Sequence, residues 1–341
     1  MHSVSHSNQL TKQWPAASST PNSSSRPPLP HTSFAGKTIL VTGANVGLGK
    51  EAARHFTALN ASTVILAVRS LEKGEAAKRD IEASTGCGSD VVKVMHLDMS
   101  SYESVLDFAA KVSRECSRVD VALLNAGVQR GQWEVVEQDE STITVNVVST
   151  FLLAFALMPK LVETSKKFNT RPTMTVTSSE VHGFIDFVER HAEEGRIFER
   201  LNQKEVDGKA VDLGRRYQVS KLLEVLFIRA WFERKGVQDG PVTVNVVNPG
   251  LCHSEFGREA GWGLAIFKFF LARTTEVGSR TLVAAASLGK ESHGQYLSNG
   301  VVEDPSPWVM SEEGHQTQQR VWEELVAKLE GIKGGITKDI N

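Results

Sequence analysis

The sequence predicts an α/β fold in which a doubly wound, mainly parallel sheet of seven strands is flanked by helices on both faces. From Lys37 onward, short runs rich in valine, isoleucine and threonine alternate with longer stretches of helical periodicity. This alternation is typical of strand–helix–strand units with parallel strands. The runs are apolar throughout rather than at every second residue, as expected for strands that helices cover on both sides.

The predicted strands and helices cover most of the chain between residues 37 and 297. The strands are 38–42, 63–68, 91–97, 119–124, 173–177, 242–247 and 295–297. The helices are 48–59, 71–83, 104–113, 141–162, 221–232 and 277–288. No internal repeat or linker interrupts this pattern, so we expect one domain.

The composition favours a globular protein with a substantial core. Of 341 residues, 40% are hydrophobic, and the formal net charge is −2, which gives no sign of a nucleic-acid partner. Cys87, Cys116 and Cys252 form no metal-ligand pattern and leave one cysteine unpaired in any disulfide scheme. We therefore expect no metal and a cytoplasmic location. No apolar run is long enough to predict a membrane span.

The two ends of the chain differ in character from its central part. Residues 1–33 are rich in serine, proline, asparagine and histidine and lack acidic residues. They predict a disordered leader, with an organelle transit peptide as the alternative. Residues 34–330 then form the domain, and residues 331–341 form a flexible tail. Within the domain, we expect inserts at about 181–213 and 255–275 to cover a substrate.

A glycine-rich turn follows the first predicted strand. Gly43, Gly47 and Gly49 stand in Thr42-Gly43-Ala44-Asn45-Val46-Gly47-Leu48-Gly49-Lys50, which opens directly into a helix. Tight turns require glycine for conformational reasons alone. Here, however, the turn lies in the first strand–turn–helix unit, where backbone can approach a pyrophosphate and the helix N-terminus presents free N–H groups. The pattern predicts a dinucleotide site.

The end of the second predicted strand indicates which dinucleotide binds. NAD sites usually place an acidic residue there to bond the ribose 2′-hydroxyl. This chain has Ala67-Val68-Arg69, followed by Lys73 one helical turn later. A carboxylate would repel a 2′-phosphate, whereas a guanidinium binds it with two charge-assisted hydrogen bonds. The sequence therefore predicts NADP(H), and a solvated surface arginine is the alternative.

Tyr217 and Lys221 are four residues apart at the start of a predicted helix. This spacing places a phenol and an ammonium on one helix face. A free tyrosine, with a pKa of about 10, exchanges its proton poorly at neutral pH, and a neighbouring cation lowers that pKa. The pair predicts a proton-transfer site, and a partly exposed pair on an amphipathic helix is the alternative.

Several short motifs, in this order, resemble those of the short-chain dehydrogenase/reductase family. The glycine-rich turn resembles the cofactor turn of that family, and the tyrosine–lysine pair resembles its catalytic pair. The resemblance runs from about residue 37 to 299, and it is closer to the retinol-dehydrogenase-like branch and to fungal biosynthetic reductases. It implies a Rossmann-type domain and an NADP-dependent oxidoreductase acting on CH–OH or C=O groups. The other matching segments are Leu97-Asp98-Met99-Ser100, Asn125-Ala126-Gly127, Asn146, Thr177-Ser178-Ser179 and Pro249-Gly250.

The resemblance implies a role for each matching residue. Tyr217 would exchange a proton with the substrate oxygen, Lys221 would lower the pKa of Tyr217 and bind the nicotinamide ribose, and Ser179 would hydrogen-bond the substrate oxygen. Ser178 is the alternative to Ser179, because adjacent strand residues face opposite ways. Asn146 would hold a water molecule for proton relay. The implied cofactor-binding residues are Gly43, Asn45, Gly47, Leu48, Gly49, Arg69, Lys73, Asp98, Asn125, Ala126, Gly127, Tyr217, Lys221, Pro249, Gly250, Cys252 and Ser254.

The chain departs from the family pattern after Gly250. Family members often carry a threonine there, whereas this chain offers the hydroxyl of Ser254 and leaves Cys252 only its backbone for contact. We interpret His253 as a loop residue. His182, three residues after Ser179, is a further candidate for the substrate side.

A strongly apolar and aromatic stretch, residues 261–272, follows the sixth predicted strand. In the family this segment covers the substrate, so the resemblance implies a lipophilic ketone or secondary alcohol, as in secondary-metabolite biosynthesis. Core packing, a homodimer contact and shallow contact with a membrane surface are the alternatives for this stretch.

Two other functions remain as alternatives for the whole protein. The same site is compatible with reduction of a carbon–carbon double bond. A non-catalytic protein that senses NADPH is the second alternative, but it predicts loss of Tyr217, Lys221 or Ser179, and all three are present.

Overall fold

One sheet lies at the centre of the protein, whose computed structural model describes residues 27–206, 208–234, 236–252 and 272–338. The strands in chain order are Thr38–Thr42 (β1), Thr63–Val68 (β2), Val92–His96 (β3), Val121–Leu124 (β4), Val135–Val136 (β5), Asp139–Glu140 (β6), Thr173–Thr177 (β7), Glu205–Val206 (β8), Lys209–Ala210 (β9), Thr243–Asn248 (β10), Tyr296–Ser298 (β11) and Val301–Glu303 (β12). Two pairs, β5 with β6 and β8 with β9, form separate hairpins, and the other eight strands form the sheet.

Helices cover both faces of the sheet. In chain order they are Gly47–Ala58 (α1), Leu71–Thr85 (α2), Tyr102–Glu115 (α3), Ser141–Ile143 (α4), Ser149–Phe168 (α5), Ile197–Leu201 (α6), Leu213–Phe232 (α7), Thr275–Ser287 (α8) and Glu312–Ile332 (α9). A π-helical turn, Thr144–Val148, joins α4 to α5, and short 3₁₀ turns lie at Glu180–Gly183, Val188–His191 and Lys290–Ser292.

The strand order is β12-β11-β10-β7-β4-β1-β2-β3. Every neighbouring pair is parallel except β11 with β12, which is antiparallel. The predicted doubly wound and mainly parallel sheet is confirmed. The order reverses between β1 and β4, and ligands of open parallel sheets bind beyond the carboxyl ends of the strands at such a reversal.

The eighth strand of the sheet corrects the predicted number of seven. Asn299 and Gly300 join β11 to β12 and have positive φ angles of 54° and 85°. Asn-Gly between two short strands is a strong hairpin signal, because both central residues of such a turn need a left-handed backbone. The new strand, β12, has only three residues, and its Val301 is exposed. Its apolar pattern alone was therefore too short to predict it.

Two hydrophobic cores lie on opposite faces of the sheet. One packs α1, α2 and α8 against the strands, and the larger one packs α3, α5, α7 and α9. Successive side chains of β1 divide between them, since Ile39 and Val41 belong to the first core and Leu40 to the second. Both faces of the sheet are thus buried under helices, which explains why the strand sequences are apolar throughout.

The helix α9 was not predicted from the sequence. Its apolar residues are few and lie between charged ones, but they share one face that packs on α7. The Trp322 ring stacks on Phe227 with 4.7 Å between centroids, and Arg229 Nε donates to Gln318 Oε1 at 3.1 Å. Because α7 also carries Tyr217, α9 supports the site from behind.

One continuous helical stretch, Ser141–Phe168, is long and apolar enough to cross a bilayer. It is the one such stretch among the residues that the structure describes, and 83% of its most apolar window is buried inside the fold. Its buried side chains belong to the larger core. We therefore assign it as a core helix.

Some residues from the predicted leader, tail and inserts are described. The Pro27 carbonyl accepts a hydrogen bond from Arg280 Nη1 at 3.1 Å, and Thr337 N donates to Glu330 Oε1 at 2.8 Å. The insert at 181–213 contains α6 and the β8–β9 hairpin. Residues 1–26 and 253–271 lie outside the described residues, so the predicted boundaries of leader, tail and second insert stay predictions.

A buried histidine connects β10 to the segment before it. His293 Nε2 donates to Val237 O at 2.7 Å, and Nδ1 accepts from Val244 N at 3.0 Å. Burial lowers the pKa of His293 below its ordinary value, although the backbone hydrogen bonds raise it. The unfolded chain therefore binds a proton more readily. This contribution to stability is complete above a pH of about 6.5 and is lost as the pH falls toward the lower folded pKa.

Substitution of His293 should change how stability depends on pH. Between pH 7 and 5, the unfolding free energy of the wild type should fall more steeply than that of His293→Gln, by at most about 1.4 kcal/mol per pH unit. Urea denaturation at several pH values measures both slopes. His96→Gln, at an exposed position of β3, is the control. Equal slopes for the wild type and His293→Gln would contradict a neutral buried imidazole.

Candidate active site

A cleft of about 620 Å³ opens beyond the carboxyl ends of the central strands, where the strand order reverses. Two predicted site residues, Gly49 and Asn146, pack behind its lining. Ser254 and its neighbour His253 lie outside the described residues. The other predicted site residues all line this cleft: Gly43, Asn45, Gly47, Leu48, Arg69, Lys73, Asp98, Asn125, Ala126, Gly127, Ser179, Tyr217, Lys221, Pro249, Gly250 and Cys252.

The glycines of the first turn are required by close packing. Gly43 and Gly47 have positive φ angles of 67° and 62°, a backbone region that favours glycine. A Cβ on Gly49 would lie 2.6 Å from both Asn125 Nδ2 and the carbonyl oxygen of Gly43. The turn after β1 therefore packs directly on the segment after β4 and leaves the cleft open above it.

The N-terminus of α1 points into this cleft without a side-chain cap. Val46 at the N-cap accepts no side-chain hydrogen bond from the helix, and the first turn contains no acidic residue. Gly47 and Leu48 of this turn line the cleft. The amide groups and the positive end of the helix dipole are therefore available to an anion.

Thr42, which the sequence did not single out, joins the ends of β1 and β4. Its Oγ1 accepts hydrogen bonds from Asn125 N and Ala126 N, both at 2.9 Å. In return, Asn125 Nδ2 donates to Thr42 O at 3.1 Å. The Thr42 side chain is fully buried at the end of an apolar strand. A hydroxyl at such a position needs a hydrogen-bond partner, and this could have indicated its role from the sequence.

Basic side chains surround the end of β2. Arg69 and Lys73 are exposed and line the cleft, and neither forms an ion pair with another described residue. Ser70 between them caps α2 by accepting from Lys73 N at 3.3 Å. Across the cleft, Asp98 Oδ1 accepts from Ser100 N at 2.9 Å. Two unpaired cations beside a glycine cradle and an uncapped helix fit the phosphates of a dinucleotide.

Asn146 lies in the π-helical turn and is fully buried. Its Oδ1 accepts from Val128 N at 2.8 Å, and its Nδ2 donates to Val128 O and Ser220 Oγ, both at 2.9 Å. A Cβ on Gly127 would approach both Asn146 Oδ1, at 3.3 Å, and Lys221 Nζ, at 3.7 Å. The side chain therefore fixes the loop after β4 to α7. The predicted water relay through Asn146 stays a prediction.

Tyr217 lies inside α7 rather than before it. The helix begins at Leu213, whereas the sequence predicted a start at residue 221. Asp212 caps it by accepting from Gly214 N at 2.8 Å, an N-cap that extends the helix backwards through a polar stretch. Tyr217 and Lys221 are thus on successive turns of one helix, as predicted from their spacing.

Two reciprocal hydrogen bonds join α7 to the end of β7. Lys221 Nζ donates to Thr177 O at 2.9 Å, and Ser178 Oγ donates to Lys221 O at 2.8 Å. The hydroxyl of Ser179, the next residue after Ser178, forms a hydrogen bond with Tyr217. This geometry favours Ser179 over Ser178 for contact with a substrate.

Glu224 is a further site residue that the sequence did not single out. Its side chain is only 2% exposed, and its Oε1 lies 2.8 Å from Lys221 Nζ. A single carboxylate within Leu222-Leu223-Glu224-Val225-Leu226 was the signal, because a charge in an apolar helical run needs a partner. Burial raises the pKa of Glu224 to about 7, although Lys221 and the nearby Ser178 hydroxyl lower it.

The acidity of Tyr217 depends on its burial and on two neighbouring side chains. Burial raises the pKa of Tyr217, the charge of Glu224 raises it further, and the hydrogen bond with Ser179 lowers it. Lys221 Nζ is 5.6 Å from the centre of the Tyr217 ring, and its charge is offset by Glu224. The lowering of the Tyr217 pKa by Lys221, which the resemblance implies, stays a prediction.

His182 is a structural residue in this arrangement. Its Nδ1 donates to Ser179 O at 2.7 Å, and its Nε2 accepts from Ser306 N at 3.0 Å. Burial lowers the pKa of the imidazole, which favours this neutral form. Because both ring nitrogens are bonded, His182 positions the segment of Ser179 and offers no free nitrogen to a substrate.

The loop after β10 closes the cleft on its other side. Gly250 has a φ of 77°, and its N–H donates to Asn248 Oδ1 at 2.9 Å. The Cys252 side chain is buried against α8, where a Cβ on Gly278 would overlap its Sγ. Burial raises the pKa of this thiol to about 11. Its side chain thus faces α8, and the contact of its backbone with a cofactor stays a prediction.

Comparison with known proteins identifies the family. A family model described as short chain dehydrogenase matches residues 37–169. The short chain dehydrogenase/reductase dmxR8 of Cryptosporiopsis sp. (strain 8999) is 54% identical over 313 residues, covering 92% of this chain and 96% of that protein. The short-chain dehydrogenase anuD of Penicillium roqueforti (strain FM164) is 40% identical over 320 residues, covering 91% and 82%. The chain belongs to the short-chain dehydrogenase/reductase family of oxidoreductases and is similar to fungal members.

A solved structure with the same fold is an alcohol dehydrogenase from the archaeon Thermococcus sibiricus, complexed with 5-hydroxy-NADP. It superposes with a TM-score of 0.53 at 22% sequence identity and covers 77% of this chain and 95% of that one. The likeness supports the fold described above.

Gly49 should tolerate no side chain. We expect Gly49→Ala to lower the unfolding free energy by about 1–3 kcal/mol, because the new methyl group would overlap Asn125 and the Gly43 carbonyl. Urea denaturation measures the change. Gly88→Ala is the control, since a Cβ there meets nothing within 4 Å. Equal stabilities of the two variants would contradict the close packing of the turn on β4.

Proposed function

We propose that the protein is an NADP(H)-dependent oxidoreductase that transfers hydride between nicotinamide and a lipophilic ketone or secondary alcohol. The observation that carries this proposal is that Tyr217, Lys221 and Ser179 line the same cleft as the glycine turn. A proton-transfer group and a dinucleotide cradle thus share one cavity, as a reaction that moves a hydride and a proton together requires.

Different residues of the cleft would hold different parts of the cofactor. The turn of Gly43, Gly47 and the α1 N-terminus would hold the pyrophosphate, and Arg69 with Lys73 would hold the 2′-phosphate. Asp98 would contact the adenine, and Asn125 to Gly127 would lie along the dinucleotide. Lys221 would bind the nicotinamide ribose, and the loop of Pro249 and Gly250 would contact the carboxamide end.

In the reaction, the bound nicotinamide supplies the hydride or accepts it. Tyr217 gives its proton to the carbonyl oxygen during reduction and removes it during oxidation. Ser179 donates a hydrogen bond to the same oxygen and stabilises the negative charge that develops there. Lys221, whose ammonium donates to Thr177 O, keeps Tyr217 and Ser179 at fixed positions relative to each other. After reduction, a proton from solvent restores the phenol of Tyr217.

Apolar side chains in the cleft support the proposed substrate class. Val128, Val145, Val181 and Leu251 contribute apolar surface to the cleft, and a ketone with a large apolar body would bury area against them. The similarity to fungal members supports the proposal that the reaction belongs to secondary-metabolite biosynthesis. The free cysteines are consistent with the reducing cytoplasm. A homodimer and contact with a membrane surface stay predictions.

Tyr217→Phe tests the proposed chemistry. We expect it to lower turnover of any accepted carbonyl compound by at least about 100-fold, because the proton donor is lost, and to leave NADPH affinity nearly unchanged. A screen of carbonyl compounds, followed by NADPH absorbance, identifies the substrate and measures the rate. Tyr102→Phe, which removes a phenol away from the cleft, should retain activity. Full turnover by Tyr217→Phe would remove Tyr217 from the proposed role.

Arg69→Ala tests the choice of cofactor. We expect it to weaken NADPH binding by about tenfold or more, the size of one charge-assisted contact, and to change NADH binding little. Nicotinamide fluorescence titrations measure both affinities. Arg79→Ala removes an exposed arginine of α2, the helix that follows Arg69, and serves as the control because Arg79 does not line the cleft. Equal weakening of NADPH and NADH by Arg69→Ala would contradict the 2′-phosphate assignment.

A further inference from the structure

Two half-buried glutamines line the cleft, yet the reaction described above uses neither. Gln129 lies on the loop after β4, and Gln218 is the residue after Tyr217 on α7. Neither amide has a hydrogen-bond partner among the residues that the structure describes. An amide carries two donor hydrogens and an acceptor oxygen, and polar groups that are removed from water are normally hydrogen-bonded. A bound ligand would supply the missing partner.

Packed glutamines on α9 have partners within the protein. The half-buried Gln319 donates through Nε2 to Glu233 Oε2 at 2.8 Å, and the buried Gln318 accepts from Arg229 Nε at 3.1 Å. Both lie outside the cleft. These amides are used to join α9 to α7 and the segment after it, whereas the two amides on the cleft wall join nothing and face the space that a substrate would enter.

Asn146 brings the two glutamines to one part of the cleft. Its Oδ1 accepts from Val128 N at 2.8 Å, and its Nδ2 donates to Ser220 Oγ at 2.9 Å. Gln129 directly follows Val128, and Gln218 lies two residues before Ser220. One buried side chain therefore connects the two segments that carry the amides. Because the proposed proton-transfer tyrosine precedes Gln218 directly, the amides lie on the substrate side of the cleft.

The charges on this side of the cleft favour a neutral ligand. Glu180, Asp212 and Arg215 are exposed residues of its lining, two acids against one base. The buried Lys221 ammonium already has an acceptor in Glu224 Oε1 at 2.8 Å. An anionic substrate group would thus meet more acidic than unpaired basic side chains. A neutral hydroxyl group suits an amide better, because it both donates and accepts a hydrogen bond.

We propose that Gln129 and Gln218 bind a hydroxyl group of the substrate, so that the preferred substrate is a lipophilic ketone that carries a hydroxyl group apart from its reacting carbonyl. This inference rests on the proposed function, because it names the substrate class of the same site. The apolar surface of the cleft binds the body of the molecule, and the amides fix its orientation. A ketone without the hydroxyl leaves both amides unpaired and binds less tightly.

Equilibrium binding tests the proposal without turnover. Protein saturated with NADP⁺ cannot reduce a ketone, so isothermal titration calorimetry gives the dissociation constant alone. The probes are α-tetralone, its ring-hydroxylated isomers and the corresponding methoxy compounds. We expect at least one hydroxylated isomer to bind about tenfold more tightly than α-tetralone, the size of one or two hydrogen bonds. Its methoxy counterpart, which lacks the donor hydrogen, should lose this gain.

Methionine variants remove each amide at nearly constant side-chain length. Gln129→Met and Gln218→Met should each reduce the preference for the hydroxylated isomer by about threefold or more, because one amide partner is lost. Gln316→Met is the matched control and should keep the wild-type preference, since Gln316 is exposed on α9 and donates to Glu312 Oε1 away from the cleft. Urea denaturation shows that each variant is folded.

Each outcome decides for or against the proposal. A wild-type preference for a hydroxylated isomer that falls in both cleft variants and persists in Gln316→Met supports it. It is overturned if the wild type prefers no hydroxylated isomer, if the methoxy counterpart binds as tightly, or if either cleft variant keeps the full preference. Because binding is measured rather than turnover, failure here is distinct from failure of the Tyr217→Phe test of the proposed function.

Discussion

The reciprocal pair of hydrogen bonds between α7 and the end of β7 is the constraint on which the site depends. The Lys221 ammonium reaches the Thr177 carbonyl, and the Ser178 hydroxyl reaches the Lys221 carbonyl. Together these hydrogen bonds fix the position of α7 along β7 and its rotation about its own axis. Tyr217 lies one helical turn before Lys221, and Ser179 directly follows Ser178. The two hydrogen bonds therefore set the positions of both Tyr217 and Ser179 in the cleft. Asn146, through Ser220, attaches the loop after β4 to the same helix.

Burial at this contact also sets the electrostatics of the site. An ammonium in the interior needs a compensating charge, and Glu224 supplies it from the next turn of α7. The consequence is that Lys221 is held by two partners, Thr177 O and Glu224 Oε1. On the cofactor side the opposite holds, because Arg69 and Lys73 are exposed cations that no described acidic residue neutralises.

The sequence predicted those features that depend on local pattern. Strands that are buried on both faces are recognisable as continuous apolar runs. The glycines of the first turn lie where a Cβ would overlap Asn125 or where φ is positive. Features set by tertiary contacts were not predicted. The sequence marks Glu224 only as a lone charge in an apolar helical run and does not show its burial beside Lys221. His182 has one ring nitrogen bonded to Ser179 O, three residues earlier, and the other to Ser306 N, which is distant in the chain. The strand β12 was not predicted because its three residues are too few to show a periodic hydrophobic pattern. The Asn299-Gly300 pair before it did indicate a hairpin turn.

The central claim is that the Tyr217 hydroxyl and the Lys221 ammonium meet the nicotinamide end of a dinucleotide in one cleft. A crystal structure of the protein with NADPH tests it most directly. The account predicts that the pyrophosphate lies on the α1 N-terminus and that Tyr217 Oη and Lys221 Nζ are within hydrogen-bonding distance of the nicotinamide ribose, about 2.7–3.2 Å. A cofactor bound elsewhere, or a Tyr217 hydroxyl separated from the nicotinamide by packed side chains, would contradict it.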